Sequence, residues 1–470
     1  MFSSHSKQTS FLWILGVLII FSLLPPLGFY IVGEEGVYTI GAMEMWQRHD
    51  FLHQTTFGEF YNRPPMIVWA IGFVAQFIGF KQIVLAARLV SLLATLGMAL
   101  STGLLARAVI NNKTFIVFSM LITLTLGDLY FYRGWLAYAD PLLGLFTISA
   151  ITLMYYALRK HSLYLMVLSA LSISAAFLTK SLTPFAIWYS ALIIFSWDGT
   201  LKRPQISRSL WIALPIPLLI AYLWFSTVNL HQNMGHSMVS DVIQKIVAAE
   251  SIGGYLKKII TFPFSTALYL SPWVPLSLFI LFKQRQHQLH PLIQRLFWLI
   301  LINLLPYWLA PQSHIRYLIG LYPLIGLVSA YILWQSNQLI QLWVKRILVA
   351  LVVLKFIFGF FLYPYYQQQV RGVNYVQVAH DLLNTANGSV IYNNDGRSVA
   401  LNIVNELDRY YFGDRFVELP SSNWQEGFLL SMETVKDAKL YQTLTITGDK
   451  IYVYCRGTAC QRPSHLKENY

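Results

Sequence analysis

This chain of 470 residues is short of charge. Asp, Glu, Lys and Arg make up 12% of it, against about 25% in soluble domains. That shortage excludes an ordinary soluble fold. Cysteine is scarcer still, with only Cys455 and Cys460, so a disulfide-built scaffold is excluded as well. These two could close a small loop in an oxidising compartment or stay as thiols, and their spacing leaves both open. The stretch beyond Tyr363 has no glycine-rich phosphate loop and no tight cluster of metal ligands. It shows no internal repeat, which weakens a transporter built from duplicated halves. No cleavable signal peptide is evident. The first apolar run, Phe11 to Val32, is too long and lacks a small-residue cleavage site, so it reads as a signal-anchor helix.

Apolar residues are abundant, at 56% of the chain, with a mean hydropathy of +0.51. The chain reads as a polytopic membrane protein. Its net charge of +13 would suggest nucleic acid in a soluble protein. Here most basic residues lie in short loops between apolar runs, which points to orientation signalling and anionic-lipid contact instead. The 14 Trp and 28 Tyr suit interfacial belts. After the first helix, apolar runs appear near 83–106, 114–132, 141–158, 162–179, 183–197, 209–228, 265–282, 294–310, 316–334 and 346–362. With the first helix, these predict about eleven spans.

The run from Met66 to Phe80 is a further candidate, short and opened by two prolines. If it does not cross, cytoplasmic loops hold Arg107, Lys113, Arg159, Lys160, Lys202, Arg203, Arg208, Lys283, Arg285, Arg295, Lys345 and Arg346. The opposing loops beyond residue 106 hold only Arg133, Lys180, Lys257, Lys258 and Arg316. Positive charge accumulates inside, so 66–80 is expected to lie along the outer interface as a juxtamembrane helix. This topology sends Glu34, Glu35, Arg63, Asp140, Lys180 and Arg316 to the outer face.

Three pieces lie outside the membrane. In the 34–82 loop, Tyr38 to Arg48 reads as an interfacial amphipathic helix. The 229–264 loop carries His231, His236 and Gly253-Gly254 and has the length of a functional loop. Beyond Tyr363 the composition shifts to helix patterns at 373–385 and 398–410. Strand patterns lie at 388–393, 415–418, 426–430, 439–446 and 450–455. The predicted division is a membrane domain over 1–362 and an α/β domain over 363–470.

The charged residues at the outer face carry the chemistry. Glu34-Glu35 could be solvated charges at a helix end, a catalytic base or metal ligands. Asp140, just before Pro141, could cap a helix N-terminus, which is compatible with catalysis. Lys180 could snorkel to the interface, and Arg316 with Tyr317 could meet a lipid headgroup or clamp a phosphate. Arg63 precedes two prolines that fix the direction of the next segment. Carboxylates and cations at one membrane face suit a reaction in which a phosphate leaves and a hydroxyl attacks. The cations neutralise the phosphate and a carboxylate takes the proton.

The order of these motifs resembles the GT-C glycosyltransferases with a PMT-type membrane domain, close to the bacterial lipid A aminoarabinose transferase group. Family members have an acidic pair after the first helix, then a Tyr; here it reads Glu34-Glu35-Gly36-Val37-Tyr38. A Lys-Pro-Pro-Leu motif is matched by Arg63-Pro64-Pro65-Met66, an Arg opening the second span by Arg88, and an Asp opening the fourth by Asp140. Leu178-Thr179-Lys180-Ser181 matches a Leu-Thr-Lys-Gly motif. Pro272-Trp273 resembles a late Pro-Trp pair, and His314-Ile315-Arg316-Tyr317 with Pro323 resembles a Lys/Arg-Tyr-Pro segment. In the chain, Asn62 stands where aminoarabinose transferases have a Glu that can bind a metal.

The resemblance implies a polytopic all-α membrane domain of the GT-C type with a C-terminal α/β periplasmic domain, in a bacterial inner membrane. The implied activity is inverting transfer of a sugar from an undecaprenyl-phosphate donor to a lipid or glycan acceptor, such as lipid A, lipopolysaccharide or another envelope glycan. Glu34, Glu35 and Asp140 would be catalytic. Arg63, Lys180, Arg316 and Tyr317 would bind the donor phosphate, and Tyr38 and Arg88 would line the substrate pocket. A divalent metal stays open as a cofactor. Two other readings also stay open. One is a protein O-mannosyltransferase. The other, from a different class, is a transporter or flippase of lipid-linked sugar, because charges inside membranes also line transport pathways.

Overall fold

The computed structural model describes residues 2–61, 63–197, 204–229, 251–283, 289–369, 375–446 and 448–470. His231, His236 and Asn62 lie outside the described residues. Among the described residues, seven helices are long and apolar enough to cross a bilayer: Thr9–Gly28, Phe80–Val109, Ala139–Lys160, Ser209–Thr227, Pro291–Leu309, Ile315–Trp334 and Gln338–Gln367. An eighth arises if Ile252–Tyr269 and Trp273–Lys283, bent by 107° at their break, count as one span. The chain is thus a multi-pass membrane protein.

Three runs expected to cross form shorter helices. Lys113–Leu124 and Thr183–Phe195 have 12 and 13 residues, short of the ~20 that span a bilayer, and Leu163–Thr179 has 17, at the lower end of the spanning range. The first of them stops because the chain leaves the α-helix at Thr125 and re-forms as a wider π-type turn, Leu129–Arg133. Met66–Ile78 is a 13-residue helix, about 20 Å long at 1.5 Å per residue.

The chain divides into two compact units that are discontinuous in sequence, unlike a cut at 362/363. The first comprises Met1–Leu23, Ser91–Trp135 and Ala139–Lys355. It is all helical among its described residues. Trp135, Trp188 and Trp273 are fully buried in it. Buried indole N–H groups need acceptors, and these have them. Trp188 donates to Ser169 Oγ (2.8 Å), and Trp273 to Thr125 through its carbonyl (3.0 Å) and its hydroxyl (2.9 Å). The Pro272-Trp273 pair therefore fastens the broken helix to the end of Lys113–Leu124.

The second unit comprises Leu24–Val90, Leu136–Tyr138 and Phe356–Tyr470. Two short strands, β1 Thr55–Thr56 and β2 Glu59–Phe60, pair with each other, and a four-stranded sheet has the order β3-β4-β6-β5, with β3 Ile391–Asn393, β4 Gly427–Ser431, β5 Lys439–Ile446 and β6 Asp449–Arg456. The β3–β4 pair is parallel and the others antiparallel. The 415–418 segment forms only an isolated bridge, Glu418 to Tyr392, rather than a strand. Cys455 and Cys460 are joined in a disulfide.

The core of this unit joins Ile31, Ile40 and Phe57 to Val378, Leu407, Phe428 and Val453. The early loop and the C-terminal domain therefore bury one apolar surface together. The helix expected along 38–48 runs Glu35–Arg48, and most of its residues are buried. It is a packed core helix, not one lying at a water–lipid interface. Close approach depends on Gly36, where an added Cβ would sit 2.9 Å from the Leu401 carbonyl oxygen.

Candidate functional site

The candidate residues fall into a group in each unit. In the second unit, Glu35 opens the Glu35–Arg48 helix and its side chain is fully buried with that of Arg88. Arg88 donates Nε to Glu35 Oε1 (2.9 Å) and Nη2 to Oε2 (2.7 Å). The N–H groups of Val32 (2.7 Å) and Ala137 (2.9 Å) donate to the same carboxylate. Arg88 also donates to the carbonyls of Pro26 (3.0 Å), Phe29 (2.6 Å) and Tyr30 (2.8 Å). Four donors saturate Glu35, and the planar guanidinium fork gathers carbonyls of the turn Pro25–Gly28 and of the two residues after it. This geometry is a structural clamp, with no lone pair directed at a substrate.

Glu34, its neighbour, is exposed. Its N–H donates to the Tyr138 hydroxyl at 3.3 Å. Gly33 makes this possible: its φ is +58°, and a Cβ there would lie 2.5 Å from that hydroxyl. The Tyr38 ring lies 6.5 Å from the Tyr138 ring. Arg63 is half-buried in the same unit, its N–H bonded to the Tyr61 carbonyl at 2.7 Å.

In the first unit, Asp140 is the second residue of Ala139–Lys160 rather than its cap. Its side chain is 3% exposed and lies between two cations. Lys180 Nζ donates to Oδ1, and Arg133 Nη1 donates to Oδ2 at 3.3 Å. Lys180 follows the helix Leu163–Thr179, and its side chain is 26% exposed. Its partner here is a protein carboxylate, Asp140, where the expected partner was a donor phosphate. The ammonium also sits 5.6 Å over the Tyr317 ring, with the Arg316 guanidinium 5.5 Å from the same ring. Both distances suit cation–π attraction. Asp140, Lys180, Arg316 and Tyr317 are thus neighbours.

Three residues not singled out from the sequence complete this group. Arg133 donates Nε to Asp128 Oδ2 (2.8 Å), and the Tyr322 hydroxyl donates to the same oxygen (2.7 Å). Asp128 lay inside an expected span and Arg133 served only as a loop charge. An Asp five residues from an Arg within an apolar run was the available signal, because unpaired charge there is costly.

Among the described residues no three His, Cys, Asp or Glu side chains come together. Asp128 and Asp140 already face Arg133 and Lys180, whose positive charge opposes a divalent cation.

No family model matches the sequence and no curated protein matches it. Solved structures do match. ArnT from Cupriavidus metallidurans bound to undecaprenyl phosphate aligns with a TM-score of 0.68 at 15% identity, over 96% of this chain and 98% of that one. Its apo form aligns at 0.65 and 15% identity, over 97% and 99%. The apo oligosaccharyltransferase of Archaeoglobus fulgidus aligns at 0.45 and 12% identity, over 93% of this chain and 62% of that one. Over nearly its whole length, the chain has the GT-C-type fold of ArnT, a polytopic helical membrane domain with a C-terminal α/β domain.

Proposed function

We propose that the protein is an inverting glycosyltransferase. It moves a sugar from a polyprenyl-phosphate donor to a lipid or glycan acceptor, such as lipid A or another envelope glycan, at the periplasmic face of a bacterial inner membrane. The observation that carries this reading is the Asp140–Lys180 pair beside Tyr317 and Arg316. It sets a buried carboxylate against a cation that is partly open to the outside. ArnT, which shares the fold, was solved with undecaprenyl phosphate bound. The disulfide in the C-terminal domain and the excess of basic residues in the opposite loops favour an oxidising outer compartment for that domain.

In the reaction, the acceptor hydroxyl oxygen attacks the anomeric carbon from the face opposite the phosphate. The bond from that carbon to the phosphate oxygen breaks, and its electron pair leaves with the polyprenyl phosphate. Lys180 and Arg316 neutralise the departing phosphate. The hydroxyl proton passes to the Asp140 carboxylate, which Lys180 has released in favour of the phosphate. Glu34 and Arg63, in the second unit, stay candidates of their own, and no step is routed through them. Glu35 and Arg88 are assigned to structure, and no step is routed through a metal.

The test is transfer of labelled sugar from polyprenyl phosphate, comparing wild type with Glu34→Ala and Asp140→Ala. Loss of transfer in Asp140→Ala with normal folding is expected. Full transfer by both variants would remove the assignment. A flippase would move the labelled lipid between leaflets without passing the sugar on.

A further inference from the structure

We propose that Arg133, anchored by Asp128 and Tyr322, is a positioning residue for Asp140. It holds that carboxylate in place while Lys180 exchanges it for a phosphate. The inference rests on the phosphate-binding role given to Lys180 above. It concerns three residues that the reaction itself does not use.

The geometry gives Asp140 two cations of different kind. Lys180 brings a single ammonium on a flexible four-carbon stem, 26% exposed and lying over the Tyr317 ring. Arg133 brings a planar fork that is 11% exposed and bonded at two points, Nε to Asp128 and Nη1 to Asp140. A fork fixed at one prong cannot swing to follow a ligand, whereas a lysine stem can.

Asp128 is fixed in turn. Its Oδ2 takes the Tyr322 hydroxyl at 2.7 Å as well as the Arg133 bond, and its side chain is 3% exposed. The backbone around Arg133 is also held. Gly134 N–H donates to the Leu129 carbonyl (2.8 Å), and Thr95 donates its hydroxyl to the Gly134 carbonyl (2.8 Å). Only the last member, Lys180, has freedom to leave.

The charges add the second half of the argument. Asp128, Arg133, Asp140 and Lys180 sum to zero. A phosphate that takes Lys180 leaves Asp140 facing Arg133 alone, still paired and still oriented. Without Arg133, release of Lys180 would strand a buried carboxylate, which is costly. Asp128 moderates the device by sharing Arg133. If Asp128 lost its charge, Arg133 would turn wholly onto Asp140 and draw it from Lys180. The freed lysine would bind phosphate better, while the carboxylate, held tighter, would accept a proton less well. A positioning role therefore predicts that affinity and turnover move in opposite directions, which a merely structural role does not.

The experiment uses the full chain in detergent, with undecaprenyl phosphate as the binding probe and labelled-sugar transfer as the turnover assay. Asp128→Asn is expected to bind the probe about threefold to tenfold more tightly, with kcat lowered roughly tenfold and an unchanged elution profile. In an Asp140→Asn background, where Lys180 is already free, Asp128→Asn is expected to add less than about twofold in affinity. Arg133→Lys keeps the charge but loses the fork, so kcat falls while probe affinity stays near wild type. The proposal is overturned if Asp128→Asn weakens binding and turnover together, or if its gain in affinity is the same without Asp140. Wild-type probe binding by Lys180→Ala would instead strike the phosphate reading of that lysine. The kcat loss in Arg133→Lys would still report on the positioning of Asp140.

Discussion

Lys180 donates to Asp140 across a separation of 40 residues in sequence, joining the helix that ends at Thr179 to the one that opens at Ala139. A cation that serves a phosphate therefore has a resident anion to displace. Lys180→Ala should weaken undecaprenyl phosphate binding at least about fivefold. It should also lower stability by only about 1 kcal/mol, because Asp140 keeps Arg133 and the Lys180 side chain is partly exposed. Probe titration and thermal unfolding of the same preparation measure both. A large drop in stability with normal affinity would assign Lys180 to structure.

Glu35 and Arg88 behave in the opposite way. Both side chains are fully buried and bonded to each other, so removing one strands the other. Glu35→Ala should cost about 3–5 kcal/mol, seen as lost expression or early unfolding in detergent. Glu35→Gln, whose amide oxygen still accepts from two of the four donors, should cost less. A Glu35→Ala protein that melts like wild type yet transfers no sugar would return this residue to the chemistry.

Asp408 supplies a pH prediction outside the membrane. Burial holds its carboxyl well above the usual carboxylate range, and the nearby Glu44 carboxylate raises it further. Oδ1 accepts from the Val417 N–H at 2.8 Å. Oδ2 meets no hydrogen-bond donor among the described residues. Glu44 is itself raised by burial, against the lowering effect of Thr55, Arg48 and the Gly58 and Phe57 amides. The other titrating neighbour is Tyr411, on the same helix as Asp408 and beside Arg415. The folded unit therefore keeps a proton that the unfolded chain has released, and stability falls as pH rises above the ordinary carboxylate range. Asp408→Asn should raise the melting temperature above about pH 6 and flatten its slope. An equal slope in the variant would show that the proton sits elsewhere.

Gly36 tests the packing of the early loop under the C-terminal domain. An alanine Cβ would meet the Leu401 carbonyl oxygen at 2.9 Å and its carbon at 3.0 Å, and backbone atoms cannot rotate away. Gly36→Ala should cost about 1–3 kcal/mol by overpacking, read by thermal unfolding or by protease cleavage between the two segments. Wild-type resistance would mean that the seam gives without loss.

Residues with strong local signatures were legible from the sequence. The apolar runs announced a polytopic chain, and the alternation beyond residue 425 announced β4 to β6. Periodicity failed where a run was interrupted by the turn at Thr125 to Arg133, since an apolar window does not register where hydrogen bonding changes from α to π. Partners were not legible. Glu35 and Arg88 are 53 residues apart and Asp128 and Tyr322 are 194 apart. Nothing local in either member says which charge it will meet.

The sequence by itself determined that this chain enters the membrane, where its helices run, and that a few charges lie among apolar neighbours. Those properties follow from transfer free energy and backbone periodicity, which act residue by residue. Only the tertiary structure decided that Glu35 is enclosed by four donors while Asp140 is shared between a buried arginine and a partly exposed lysine. A buried charge takes its role from the groups that replace its water, and folding alone brings those groups to it.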